Sequence, residues 1–231
     1  PSSATATWKT ILVGGFNNGG RGYYALDITD PSAPQALWEF SDDNLGYSYG
    51  NPVITKLKDG TWVVMFASGY NNVSPGDGQG RLFILNANTG ALIRTIATGA
   101  GSSSTPSGLS KITAWANFPD SNNTAQRVYG GDLLGNLWRI DVNGDIPSPA
   151  VPPDLPVYDA QRLATLKDSG GVAQPITTRV ELGKIKNYPV VFVGTGQLLG
   201  TDDLATSQTQ TLYAIKDRLI DADYGTPRPL T

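Results

Sequence analysis

Apolar residues in this chain come in short runs, and each run closes on glycine or another small residue. Ile11-Leu12-Val13-Gly14-Gly15, Val63-Val64-Met65-Phe66-Ala67-Ser68-Gly69, Val128-Tyr129-Gly130-Gly131 and Val190-Val191-Phe192-Val193-Gly194 are the four clearest. Each leads through a polar loop into a second run of recurring shape, apolar or aromatic and then an acid, amide or lysine. These are Tyr23-Tyr24-Ala25-Leu26-Asp27, Leu82-Phe83-Ile84-Leu85-Asn86, Leu137-Trp138-Arg139-Ile140-Asp141 and Leu212-Tyr213-Ala214-Ile215-Lys216. Runs this short, bounded by turn residues, predict strands. Their recurrence every 55 to 75 residues or so matches propeller blades with long loops.

Turn chemistry divides the pattern into four units. The first, residues 8–40, holds strands at Lys9–Val13, Gly22–Ile28 and Ala36–Phe40, broken by Asn17-Asn18-Gly19-Gly20 and Asp30-Pro31. The second, 50–99, opens on a hairpin, Pro52–Leu57 and Trp62–Ala67, whose Asp59-Gly60 supplies the positive φ of a tight turn. Leu82–Leu85 and Leu92–Ala97 complete four strands, as a blade requires. The third, 108–166, has Ile112–Ala116, Arg127–Gly131 and Gly135–Val142. A Pro-rich excursion, Ile146–Pro156, follows, and the unit closes at Leu163–Leu166, with one helical turn over Ala160–Leu166 as the alternative. The fourth, 175–219, has Ile176–Leu182, a turn at Gly183-Lys184, Tyr188–Gly194 and Thr211–Ile215. Residues 1–220 thus read as a partial β-propeller and 221–231 as a tail or linker. The fold class is all-β, with about four blades of a larger ring. A ring at a fixed strand position fills the wedge between blades, and Gly14, Gly69, Gly131 and Gly194 let the backbones converge.

Composition narrows the chemistry. Charged residues make up only 16% of the 231, while Gly (27) and Pro (16) are plentiful, which suits a turn-rich β protein. A net charge of −3 without a basic run argues against nucleic acid. The chain contains no His and no Cys, so imidazole acid–base chemistry, thiol nucleophiles and thiolate zinc sites lie outside its means. No stretch approaches a membrane-spanning helix. The chain opens on Pro1 without a signal peptide and stops at Thr231, so it is expected to be part of a longer protein.

Tyr129-Gly130-Gly131-Asp132-Leu133-Leu134-Gly135-Asn136-Leu137-Trp138-Arg139-Ile140-Asp141 carries a family resemblance. It is supported by Gly20–Asp27, Leu45–Ser48, Gly69–Asn71, Gln174–Thr177 and Val193–Gly196. Together they resemble the C-terminal β-propeller of the PilY/PilC type IV pilus biogenesis factors and tip adhesins, over nearly the whole chain. The resemblance implies a quinoprotein-like propeller of about seven blades, exposed at the cell surface, pilus tip or outer membrane and non-enzymatic. It further implies support of pilus biogenesis, twitching motility and attachment. The implied partners are pilins or minor pilins, host surface ligands, and the remaining blades of the parent protein.

The same resemblance implies calcium in a nine-residue Asp-x-Asp-x-Asp/Asn-x-x-x-Asp loop. The matching stretch here is Phe118–Gln126, in which Asp120, Asn122 and Thr124 are the candidate metal ligands. Phe118 and Gln126 stand where two carboxylates are expected, so calcium is a weakly supported cofactor against a plain Asx-turn loop. Asp141-Val142-Asn143-Gly144-Asp145 also has the opening of a calcium loop but lacks a distal acid. Tyr47, Tyr49 and Tyr70 with Asn71 and Asn72 form a candidate recognition surface. The alternatives are a quinoprotein dehydrogenase, for which no quinone ligand set is visible, and an outer-membrane assembly scaffold.

Overall fold

In the computed structural model, residues 8–146 and 159–227 are described; most of the Pro-rich excursion, from Pro147 onward, lies outside them. Within the described residues, fourteen strands form four antiparallel sheets. The first is β1 (Ile11–Gly15), β2 (Tyr23–Asp27) and β3 (Gln35–Phe40). The second is β4 (Val53–Lys56), β5 (Trp62–Ala67), β6 (Arg81–Asn86) and β7 (Leu92–Ala97). The third is β8 (Ile112–Ala116), β9 (Ala125–Gly131), β10 (Asn136–Asp141) and β11 (Ala160–Thr165). The fourth is β12 (Glu181–Ile185), β13 (Tyr188–Gly194) and β14 (Leu212–Lys216). Each sheet is a meander in chain order, the form of a propeller blade. Between β13 and β14 sits one 3₁₀ turn, Thr201–Ala205.

Three buried clusters fill the three seams between successive sheets. Because side chains alternate across a strand, one strand can serve two seams. On β5 and β6, Val64, Phe66, Phe83 and Leu85 join Tyr23 and Trp38 of the first blade. Their alternates Val63, Met65, Leu82 and Ile84 join Val128, Trp138 and Ile140 of the third. Leu137 and Tyr129 turn the other way, toward Val191, Tyr213 and Ile215 of the fourth. β5 and β6 read as continuous apolar runs because both of their faces are covered. The predicted role of the anchor rings is visible at the first seam, where Tyr23 stacks on Phe66 with centroids 3.9 Å apart.

β4 approaches β8, and β8 approaches β12, so these first strands line the side on which the sheets converge. A register shift recurs between the last two strands of the first three blades, at Ala25/Leu26, Ile84/Leu85 and Leu137/Trp138. Such bulges add local twist.

In the fourth blade the first strand is Glu181–Ile185 and not the predicted Ile176–Leu182, and at the end of the third blade the strand reading holds over its helical alternative. Ala160–Thr165 is a strand paired with β10 and not a helical turn, because its backbone groups complete the third sheet. The hairpin of the fourth blade turns at Lys186-Asn187, with Lys186 at φ 56°, not at Gly183-Lys184. Gly183 lies inside β12 opposite Val190, and a Cβ there would stand 2.9 Å from the Phe192 ring. Among the described residues, no sheet covers the outer faces of the first and fourth blades. Leu12, Phe192 and Leu212 stand exposed there.

Candidate functional site

The Tyr129–Asp141 run is built around one buried carboxylate. β9 ends at Gly131, Gly135 takes a positive φ, and the turn between them folds Asp132 back under β10. Asp132 Oδ1 accepts the backbone amides of Leu134 (3.0 Å) and Asn136 (2.8 Å). Its Oδ2 accepts Ser107 Oγ (3.1 Å), Asn136 Nδ2 (3.1 Å) and Trp138 Nε1 (2.9 Å). Burial pushes the Asp132 carboxyl above the ordinary carboxylate range, and these donors oppose that rise. With its acceptor capacity engaged by the fold, Asp132 is a positioning group for the turn. The backbone takes part too: Asp132 O accepts Ile176 N–H at 2.9 Å, stapling the fourth blade to the third.

A second buried centre joins the end of β14 to β10. Arg139 Nη1 donates to Asp217 Oδ1 at 3.0 Å and to the Ile220 carbonyl at 3.0 Å, while Nη2 reaches Asp221 Oδ1 at 3.1 Å. Tyr129 donates its hydroxyl to Asp217 Oδ2 at 2.7 Å, and its phenol is pushed up, first by burial and then by the Asp217 charge. This centre ties residues 217–225 back across the third blade as a strap. Tyr224 N–H meets the Leu163 carbonyl at 2.6 Å, and Thr165 N–H meets the Gly225 carbonyl at 2.9 Å.

The Phe118–Gln126 loop brings only two of its three candidate ligands together. Thr124 Oγ1 donates to Asn122 Oδ1 at 2.9 Å, while Asp120 lies exposed on the turn. The same Asn122 oxygen accepts the Lys56 ammonium at 3.0 Å. Gln126 is turned to accept the Asn117 amide at 2.8 Å, and the Phe118 carbonyl receives the amides of Ser121, Asn122 and Asn123. Calcium needs six to eight oxygens at about 2.3–2.6 Å. A calcium ion on Asn122 Oδ1 would face the lysine ammonium already seated on that oxygen, so this donor set does not fit the metal. Among the described residues, no three acid, His or Cys side chains gather as a metal cluster.

The predicted tyrosine surface divides. Tyr49 is exposed and Tyr47 half-buried, but Tyr70 is buried with its phenol pushed up by burial. Asn72 is fully buried and donates Nδ2 to the carbonyls of Asn44 (3.1 Å) and Gln79 (2.8 Å). Asn72 therefore supports the loops and is not presented to a partner, and Tyr70 keeps only 8% of its surface exposed. The three tyrosines nevertheless wall a cavity of about 410 Å³, completed by Asn18, Lys111, Thr177, Leu198 and Leu199. Loops of all four blades meet there. Lys111, Leu198 and Leu199 carry no periodic signal; two adjacent leucines in a polar loop were the one clue. Phenols, one amide, one hydroxyl, a lysine and exposed leucines offer hydrogen bonds and apolar contact together, the chemistry of a peptide-binding surface. A second hollow of about 460 Å³ runs along β4, β8 and β12 and includes Thr55, Trp115, Arg179 and Glu181.

Comparison with known proteins gives one consistent result. A family model for the PilY1 beta-propeller domain matches residues 2–228. The type IV pilus biogenesis factor PilY1 of Pseudomonas aeruginosa is 37% identical over 243 aligned positions, covering 96% of this chain and 20% of the relative. A PilY1 homolog of Xylella fastidiosa is 33% identical, covering 91% of this chain and 15% of its own length. The crystal structure of the Pseudomonas aeruginosa PilY1 C-terminal domain superposes with a TM-score of 0.78 at 34% identity, covering 97% of this chain and 49% of that one. The chain thus spans about a fifth or less of these relatives and about half of the solved domain.

Proposed function

The chain belongs to the PilY1 β-propeller family, and on that premise we propose that it serves as a binding and assembly module of a type IV pilus biogenesis factor at the cell surface. The observation that carries this reading is the match of residues 2–228, nearly the whole chain, to that propeller. Its partners are pilins or minor pilins, received where the loops of four blades converge on Tyr47, Tyr49, Lys111, Leu198 and Leu199. The module acts by binding and not by catalysis. The absence of His and Cys from the sequence supports this, as does the commitment of the buried acids Asp132 and Asp217 to donors of the fold. No observation among the described residues favours the quinone-dependent or outer-membrane-scaffold alternatives.

The test is genetic. In the bacterium that encodes the chain, Tyr49→Ala with Leu199→Ala in the full-length protein is expected to reduce sheared surface pili and twitching zones while protein abundance holds. Normal piliation and motility in that variant, and in a strain deleted for the whole segment, would sink the reading.

A further inference from the structure

The β4–β5 hairpin sends two lysines across the seam to the third blade, and each meets one of that blade's two oxygen-rich loops. Lys56 places its ammonium 3.0 Å from Asn122 Oδ1, and its backbone N–H donates to the Asn123 carbonyl at 3.2 Å. Thr55 Oγ1 donates to the same carbonyl at 2.7 Å. The Trp62 ring lies 5.6 Å from the Lys56 nitrogen, so the ammonium sits between its own blade and the loop. Two residues on, Lys58 donates its backbone N–H to Asn143 Oδ1 at 2.9 Å and pairs its ammonium with Asp145 Oδ1 at 2.7 Å. Asn143 and Asp145 belong to the Asp141–Asp145 stretch, whose Asp-x-Asn-x-Asp spacing opens a calcium loop. Asp141 itself caps backbone amides: Oδ1 accepts Asn143 and Gly144, and Oδ2 accepts Ile146.

We propose that Lys56 and Lys58 act as built-in cations at this seam, so that the junction of the second and third blades needs no calcium. Both side-chain contacts join residues far apart in sequence, 66 and 87 positions, so they are tertiary links and not local turn chemistry. A tethered ammonium brings one positive charge and three donors to a loop oxygen without drawing on free metal. It also bars a divalent ion from the oxygen it holds, since two cations would compete for one acceptor. Two oxygen-rich loops served by one hairpin make a single device: the hairpin's lysines replace in cis what a soluble ion supplies in trans. The inference rests on the loop geometry alone, so its failure leaves the pilus reading untouched.

The test uses the intact protein that carries this chain, stripped with a chelator and titrated with calcium chloride by calorimetry. Wild type, Asp120→Ala and Asp145→Ala are expected to bind the same number of calcium ions, whatever sites exist elsewhere in the protein. Lys56→Ala and Lys58→Ala are each expected to lower the melting temperature of the propeller by about 2–4 °C, with no recovery in millimolar calcium. Loss of one calcium equivalent on Asp120→Ala or Asp145→Ala overturns the proposal. So does rescue of either lysine variant by calcium, or unchanged melting in both.

Discussion

Trp138 donates its indole N–H to Asp132 Oδ2 at 2.9 Å, across the turn that joins β9 to β10. Five donors converge on that one carboxylate. An amide at the same place offers one acceptor oxygen and turns its N–H₂ toward donors it cannot satisfy. Asp132→Asn is therefore expected to cost about 2–4 kcal/mol in urea unfolding, and Trp138→Phe about 1–2 kcal/mol. An Asp132→Asn protein as stable as wild type would show that the convergence does not hold the turn.

Gly131 and Gly194 end equivalent strands but differ in what lies beside them. A Cβ on Gly131 would stand 2.2 Å from Cγ2 of the buried Ile176, whereas nothing lies within 4 Å of one on Gly194. The close packing expected at Gly194 is thus not made by the described residues, where no fifth blade follows β14. Gly131→Ala is expected to lower stability by about 1–3 kcal/mol by overpacking. Gly194→Ala should stay within about 0.5 kcal/mol. Thermal melts of the two variants side by side decide the matter.

The same contrast shows what was legible in the sequence. Strand runs such as Trp62–Ala67 and Tyr188–Gly194 are readable to the residue, because each is a short apolar run bounded by turn residues. The anchor rings Tyr23 and Trp138 were readable as packing groups because the shape recurs. Contacts between blades were not. Nothing in the local pattern says that Lys56 reaches Asn122, or that Arg139 reaches Asp217, since such pairs depend on how separate units close on one another. For the same reason Asp120, Asn122 and Thr124 could be named from the family resemblance, but the ammonium that enters their loop could not. Tyr70 and Asn72 read as surface groups because turns are usually exposed, yet the loop folds them inward.

Arg139 and Asp217 are both buried, and only the neutral donors Tyr129 Oη–H and Leu219 N–H would remain on Asp217 if the guanidinium were removed. Arg139→Met is expected to cost about 3–5 kcal/mol, because an uncompensated carboxylate stays buried. Adding Asp217→Asn should recover part of that loss, so the double variant is more stable than the sum of the single losses implies. In hydrogen exchange, the amides of Tyr224 and Thr165 should open earlier in Arg139→Met, since they join the strap to β11. Unchanged protection at both would mean that the strap holds without the buried pair.

Asp77 takes both Arg81 terminal nitrogens at 2.6 Å, one on each oxygen. That pairing is the main cause that holds its carboxyl at about 2, well below the ordinary value. A carboxyl depressed on folding contributes stability above its unfolded value near 3.8, and the contribution fades as pH falls toward 2. Asp132 acts in the opposite sense: its folded value is raised by burial, so its contribution diminishes as pH rises from the unfolded value through the folded one. The two effects separate in a melting series from pH 2 to 7. Asp77→Asn should melt below wild type at neutral pH, by a modest margin because the pair is partly exposed and salt-screened. The two curves should draw together as pH falls from about 4 toward 2, where wild-type Asp77 also loses its charge. Raising the salt concentration at pH 7 should narrow the gap in the same way, by screening instead of protonation. A gap constant across the series would mean that Asp77 acts through loop packing and not through its charge.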